Sequence, residues 1–178
     1  DLNTQELEHF VEAQDKVYAN VLDEIAMGHK TSHWMWFIFP QLRELGRSAM
    51  AKRFGIAGRD EATTYLAHPV LGPRLKECVH LLLSQRSSDA HEIFGSPDDL
   101  KLRSCLTLFA SVTKEEPCFQ SALNRFYAGK PDQTTVALLK MPTENTCQKD
   151  KTPRCLHIWG FIIWLLDLGS NQDLRINS

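Results

Sequence analysis

The run of residues 32–41, Ser-His-Trp-Met-Trp-Phe-Ile-Phe-Pro-Gln, constrains the fold more than any other part of the chain. Six of its ten positions are Trp, Phe, Ile or Met, and a segment of this kind is buried when a domain folds. It is too short to cross a bilayer as a helix. The polar residues His33 and Gln41 stand near its two ends. The run is therefore typical either of a core segment or of the floor of an aromatic-lined ligand pocket.

Charge and cysteine content exclude several function classes. The 178 residues carry a formal net charge of −2, which provides no strong attraction to nucleic acid or to an acidic membrane. We expect neither as a partner. The five cysteines are widely spaced, with no Cys-x-x-Cys pair, so a structural zinc site is not expected. Residues 1–20 lack the apolar core of a signal peptide. The prediction is a cytoplasmic protein without a metal or cofactor.

The spacing of apolar residues follows the helical period, and no segment alternates as a strand does. We predict a compact all-α single domain, a bundle of about eight short helices. The predicted helices are residues 3–27, 42–54, 59–66, 70–85, 89–94, 97–112, 117–127 and 134–141.

Local signals set the predicted helix ends. Gly28 ends the first helix, and Ser88, Ser96 and Asp132 serve as N-caps. Proline at the first helical position, residue 97, is typical of a helix start, and this accounts for the acidic residues 98 and 99. We expect the helix that follows residue 70 to become regular only at about Pro73.

Two of three notable polar features, Gln14 and the basic segment 43–53, admit more than one interpretation. Gln14 lies within the apolar stripe of the first helix, so its amide either satisfies backbone groups or faces a ligand. Lys30, in the link before the aromatic run, is predicted to be a surface residue. The basic segment 43–53 is either a solvated face or an anion site.

The composition changes after Met141, which predicts three regions: a helical domain (residues 1–141), a polar linker (142–153) and an atypical apolar C-terminal extension (154–178). The extension is shorter than a membrane span. We expect it to pack on the domain, to form a homodimer contact, or to bind a partner groove.

Seven motifs between residues 7 and 139 resemble an uncharacterised, mainly helical family catalogued as domain of unknown function eighteen-ten, whose members are sometimes labelled calpastatin. The motifs are F-x-x-A-Q (10–14), SHWMWFIFPQ (32–41), G-x-S (46–48), GI (55–56), YL-x-HP-x-LG-x-RL (65–75), IFG-x-PD-x-x-KL-x-S (93–104) and TLF (107–109). The resemblance implies a compact helical domain. It implies no particular reaction, and it does not extend past Met141.

The candidate site consists of the polar and aromatic residues within these motifs. His33 and His68 are the candidate catalytic residues, because histidine exchanges protons near neutral pH. Cationic groups suit an anion, and tryptophan can stack on a planar ring. The candidate substrate-binding residues are Gln14, Trp34, Trp36, Gln41, Tyr65, Arg74, Lys101 and Ser104.

Two hypotheses of function follow. The first is a metal-independent enzyme or binder that performs acid–base chemistry on a planar or anionic metabolite. The second is a non-catalytic interaction module that uses the apolar tail. No phosphate loop, nucleophile elbow or His-Glu-x-x-His motif is present, and Cys105 lies on an apolar helix face where a thiolate is unfavourable. Whether this is an enzyme stays open at this point.

Overall fold

Ten α-helices pack around the aromatic run in residues 5–141, which are the residues that this computed structural model describes. They are α1 (Glu8–Asp15), α2 (Tyr18–Ala26), α3 (Met35–Ile38), α4 (Ala49–Arg53), α5 (Arg59–Ala67), α6 (Leu71–Leu83), α7 (Ala90–Phe94), α8 (Asp98–Val112), α9 (Cys118–Tyr127) and α10 (Gln133–Lys140). A 3-10 turn spans Arg43–Leu45. The described residues form no β-strand, and the predicted all-α class is confirmed.

The predicted first helix is two helices, so that prediction is wrong. The chain turns at Lys16 and Val17, where the Val17 N–H donates to the Gln14 carbonyl (3.0 Å). The break lets α1 contact α3 while α2 packs on α6. The first residues of the predicted helix, 3 and 4, lie outside the described residues. Gly28 follows α2 with a φ of 70°, as its stop signal predicts.

The predicted helix 42–54 is also broken, because the chain is extended at Gly46 (φ −78°, ψ 128°). A Cβ at Gly46 would lie 2.8 Å from the Cβ of Ala51, so the chain passes α4 closely. Ser48 then starts α4, its Oγ accepting a hydrogen bond from the Ala51 N–H (3.1 Å). The break after α1 adds one helix, and α3 (Met35–Ile38), which was not predicted, adds another, so residues 5–141 form ten α-helices in place of about eight.

Three predicted helix starts are shifted by one or two residues. Pro97 rather than Ser96 is the N-cap of α8, and Asp89 rather than Ser88 caps α7. Helix α6 begins at Leu71 instead of Pro73, since a proline in the first turn lacks only an N–H that the turn does not use. Asp132 caps α10 as predicted, through a hydrogen bond from the Thr135 N–H (2.9 Å).

Helix α8 is central, and α5, α7, α9 and α10 all pack against it. The aromatic run lies over the same core: Trp34 and Phe39 are each 1% exposed, and both meet Phe94 of α7 edge-on, with ring centroids 6.2 and 5.9 Å away. Burying a large apolar side chain contributes about 2–3 kcal/mol. Lys101, in the first turn of α8, lies over the ring of Trp36 in α3.

No helix within residues 5–141 is long and apolar enough to cross a membrane. The predicted linker and apolar extension lie outside the described residues.

Candidate functional site

Trp34 and Trp36 are two residues apart at the start of α3, yet their surroundings differ. Trp34 is 1% exposed, whereas Trp36 is only partly buried. The polar residues around each ring decide which of the two faces a candidate site.

Trp34 belongs to a closed network centred on Glu24, a carboxylate of α2 that is 4% exposed. Glu24 accepts hydrogen bonds from the Trp34 indole Nε1–H (2.8 Å) and from the backbone N–H groups of Thr31 (2.9 Å) and Ser32 (3.2 Å). The Ser32 hydroxyl and the Asn20 amide (3.0 Å) also donate to it. This network fixes the loop before α3 and the position of the Trp34 ring.

Glu24 titrates well below the usual range. Burial by itself raises the pKa, but the hydrogen bonds from Ser32, Thr31 and Trp34 outweigh burial and lower the pKa to about 2. Glu24 was not among the predicted site residues. The signal was present, because Glu24 lies seven residues after Val17 and three after Val21 on the apolar stripe of the predicted first helix.

Lys30 connects the Trp34 network to α8. Its Nζ lies 5.0 Å from the centroid of the Trp34 ring. It donates to the Ser32 carbonyl (2.6 Å) and pairs with Asp98 Oδ2 (2.8 Å). The side chain is only 8% exposed, so the prediction of a surface lysine is wrong. Its pairing residue lies 68 positions further along the chain, which no local pattern indicates.

Asp98 binds two ammonium groups. Its other oxygen, Oδ1, accepts a hydrogen bond from Lys101 Nζ (3.1 Å). Burial raises the pKa of Asp98, but the hydrogen bonds from Lys30 and Lys101 outweigh burial and lower it. The predicted role of Asp98 at the start of a helix is therefore only part of what it does, because it also pairs with two lysines. One carboxylate with two lysines leaves one positive charge uncompensated within this cluster.

Lys101 extends over the second tryptophan, with Nζ 5.3 Å from the centroid of the Trp36 ring. Both residues line a small open pocket, which we call the Trp36 pocket. Its lining is Met35, Trp36, Phe39, Gln41, Ala51, Phe54 and Lys101. The empty space is about 220 Å³ including the part open to solvent, and its interior holds about one water molecule.

Three of the predicted binding residues form a second cluster. Gln14 is 1% exposed and donates through Nε2 to the Phe37 carbonyl (2.7 Å) and to the Tyr65 hydroxyl (3.0 Å). Its Oε1 accepts from Arg74 Nη1 (3.4 Å), and Arg74 also pairs with Asp15 (2.7 Å). Burial raises the pKa of Tyr65. These contacts tie α1, α3, α5 and α6 together, which favours the structural interpretation of Gln14.

The remaining three predicted residues lie elsewhere. His68 is buried, and its Nδ1 accepts hydrogen bonds from the N–H groups of Val70 (3.1 Å) and Leu71 (3.2 Å), so it caps α6. His33 is exposed, and within residues 5–141 it has no hydrogen-bond partner. The Ser104 Oγ donates to the carbonyl four residues earlier in α8 (3.2 Å). None of these three residues is among the described residues that line the Trp36 pocket.

Metal and thiol chemistry find no support among the described residues. Residues 5–141 bring no three His, Cys, Asp or Glu side chains together around a common point. Cys78, Cys105 and Cys118 are buried free thiols. Burial raises the pKa of Cys78 to about 12 and that of Cys105 well above the usual value, which disfavours a thiolate nucleophile.

The described residues form an all-α domain. The chain belongs to the family described as protein of unknown function (DUF1810), whose model matches residues 4–139. This confirms the resemblance drawn from the motifs.

A solved structure is similar to this chain in both sequence and fold. The crystal structure of the conserved hypothetical protein Rv1873 from Mycobacterium tuberculosis at 1.38 Å is 49% identical and superposes with a TM-score of 0.76. The match covers 77% of this chain and 98% of that chain. None of the curated proteins matches the chain.

Proposed function

We propose that this domain binds a small planar anion in the Trp36 pocket. The observation that carries the proposal is the position of Lys101, which Asp98 holds over the partly exposed ring of Trp36 at the edge of an open pocket. A cation, a ring face and the amide of Gln41 are three complementary groups for an aromatic carboxylate.

The charges of the cluster support an anion rather than a cation. Lys30 uses its ammonium group on the Ser32 carbonyl, Asp98 and the Trp34 ring. In the described part of the chain, Asp98 is the one hydrogen-bond acceptor of the Lys101 ammonium, which has three N–H donors. Lys101 therefore retains donors for a ligand, and Asp98 is already neutralised by Lys30.

The lining of the pocket supports a ligand with a flat ring. The enclosed interior holds about one water molecule, so the ring would lie on the side of the pocket that is open to solvent, against the partly exposed Trp36. Apart from Lys101 and Gln41, the lining side chains are apolar or aromatic, including Met35, Phe39 and Phe54. A flat ring stacked on Trp36 gains both burial and aromatic contact.

Binding has more support than catalysis. Acid–base chemistry at His33 and His68 remains a prediction, and the Nδ1 atom of His68 is already occupied as a helix cap. The alternative interaction module concerns residues 154–178, which lie outside the described residues. A cytoplasmic location stays part of the proposal, supported by the free thiols of Cys78, Cys105 and Cys118.

Calorimetric titration with sodium benzoate tests the proposal, with benzamide as the neutral analogue of the same shape. We expect benzoate to bind the wild type more tightly than benzamide does. Lys101→Gln should weaken benzoate binding about tenfold or more, since a hydrogen bond to a charged group contributes about 1.5–3 kcal/mol.

Lys114→Gln is the matched control, because it removes the same charge just beyond the other end of α8 and should leave benzoate affinity unchanged. Absence of benzoate binding, equal affinity for benzamide, or equal losses in the two lysine variants would contradict the proposal.

A further inference from the structure

We propose that Lys30, a lysine outside the Trp36 pocket, sets the affinity of that pocket for an anion by neutralising Asp98. This inference rests on the proposed function and adds a positioning residue to it, because Lys30 acts on the ligand only through Asp98 and Lys101. A protein without Lys30 would keep every residue of the pocket lining, yet it would bind an anion less tightly.

The first argument is an unbroken line of contacts from Lys30 to the pocket. Lys30 Nζ lies 2.8 Å from Asp98 Oδ2, and Lys101 Nζ lies 3.1 Å from Asp98 Oδ1. The two ammonium groups therefore contact the two oxygens of one carboxylate. Lys101 Nζ lies 5.3 Å from the centroid of the Trp36 ring and lines the pocket, whereas Lys30 is not among the described lining residues.

The second argument is that the Lys30 ammonium is held against Asp98 with little access to water. The Lys30 side chain is 8% exposed and that of Asp98 is 18% exposed. Lys30 Nζ donates to the Ser32 carbonyl (2.6 Å) and lies 5.0 Å from the centroid of the Trp34 ring. Charges with so little contact with solvent are weakly screened. Lys30 thus lies in the Trp34 network, but its charge acts on the Trp36 pocket through Asp98.

The third argument is the charge balance at Asp98. Burial raises the pKa of Asp98, but the hydrogen bonds from Lys30 and Lys101 outweigh burial and lower the pKa, so Asp98 is ionised at neutral pH. The three side chains together carry one net positive charge, and without Lys30 they carry none. Asp98 would then offer both of its oxygens to Lys101 and compete with an anionic ligand for the same N–H donors.

A double-mutant cycle tests the inference, with Kd measured by calorimetry for benzoate and benzamide. We expect Lys30→Met to raise the Kd of benzoate at least about fivefold, the lower end of typical coupling between sites. The Kd of neutral benzamide should change less than about twofold, because the change acts on charge.

The second arm of the cycle is Asp98→Asn. Asparagine keeps an oxygen that accepts a hydrogen bond from Lys101 but carries no charge, so this variant should bind benzoate at least as tightly as the wild type. In the Asp98→Asn protein, adding Lys30→Met should change the Kd of benzoate less than about twofold, because no carboxylate is left for Lys30 to neutralise.

Lys76→Met is the matched control, because Lys76 pairs with Glu116 at the same distance of 2.8 Å. Neither residue is among the described lining of the pocket, so this variant should leave both Kd values unchanged. Thermal melting of each variant checks that it is folded. Lys30→Gln replaces Lys30→Met if the methionine variant does not fold.

Four outcomes would overturn the inference while benzoate binding by the wild type still supports the proposed function. Lys30 has no influence on the pocket if its variant binds benzoate as tightly as the wild type. Its role is only structural if benzoate and benzamide lose affinity equally. It does not act through Asp98 if benzoate loses the same affinity with and without the carboxylate, or if Asp98→Asn binds benzoate more weakly than the wild type. If benzoate does not bind the wild type, both proposals are wrong.

Discussion

The two tryptophans of the aromatic run show how neighbouring residues of the same type take different roles. The Trp34 indole donates to Glu24, and Lys30 covers its ring. The Trp36 ring is partly exposed, and Lys101 lies over it at an open pocket. Both rings have a cation over them. They differ in whether the polar groups around them have already made their hydrogen bonds within the protein.

That difference separates a structural network from a candidate binding site. Buried polar groups stabilise a fold only when their hydrogen bonds are made, and Glu24 satisfies this with five donors. Lys101 has one such bond in the described part of the chain. We therefore expect changes near Trp34 to reduce stability and changes near Trp36 to reduce ligand affinity.

The largest expected effect comes from Glu24→Gln. The change removes the charge and places an amide N–H₂ against existing donors, so we expect a loss of about 3 kcal/mol in the free energy of unfolding. Urea denaturation measures it. Asp23→Asn, at the exposed neighbouring position, is the control and should cost less than about 0.5 kcal/mol. Equal losses in the two variants would contradict a structural role for Glu24.

The comparison of wild type with Glu24→Gln also gives a prediction of how stability depends on pH. The pKa of Glu24 is about 2 in the folded protein against 4.5 as the ordinary value. Its contribution is therefore fully present above about pH 4.5 and is lost as the pH falls towards 2. The stability difference between wild type and Glu24→Gln should shrink over that interval. A difference that is constant from pH 6 to pH 3 would contradict the lowered pKa.

The next largest expected effect is a difference in stability loss between variants of the two lysines that pair with Asp98. Lys30 is 8% exposed and Lys101 is 24% exposed. Lys30→Met should cost about 2 kcal/mol, because the Ser32 carbonyl and Asp98 lose a buried donor. Lys101→Met should cost less than about 1 kcal/mol. Thermal or urea unfolding measures both, and the reverse order would show that Lys101 is the structural lysine.

The smallest expected effect is an absence of thiol reactivity. Cys78 and Cys105 are fully buried, and their raised pKa values keep them as thiols. Iodoacetamide at pH 8 should label them only after unfolding, as measured by peptide mass spectrometry. Rapid labelling of Cys105 in the native protein would contradict this account of the core.

The features that were predicted correctly are those that depend on residues close together in the sequence. The all-α class follows from apolar spacing, and the ends of α2 and α10 follow from Gly28 and Asp132. The break after α1 was missed, because it accompanies a bond from Gln14 to Phe37, 23 residues away. The burial of Lys30 was missed for the same kind of reason, since it depends on a distant carboxylate.

The candidate site was predicted in part. The structure brings Trp36, Gln41 and Lys101 to one pocket, and all three were predicted binding residues. His68 was selected for its chemistry, but its position before a helix makes it a cap. The chemistry of a side chain can be predicted from the sequence. Whether its polar atoms already have hydrogen-bond partners depends on the fold.

The most direct test is a nitrogen–proton NMR titration of the tryptophan indoles with sodium benzoate. Trp34→Phe and Trp36→Phe assign the two Nε1–H signals. We predict that the Trp36 signal shifts and saturates as benzoate is added, while the Trp34 signal, bonded to Glu24, stays in place. If both signals stay in place, or if the Trp34 signal shifts as much as the Trp36 signal, the central claim that only the Trp36 side of the run binds a ligand is contradicted.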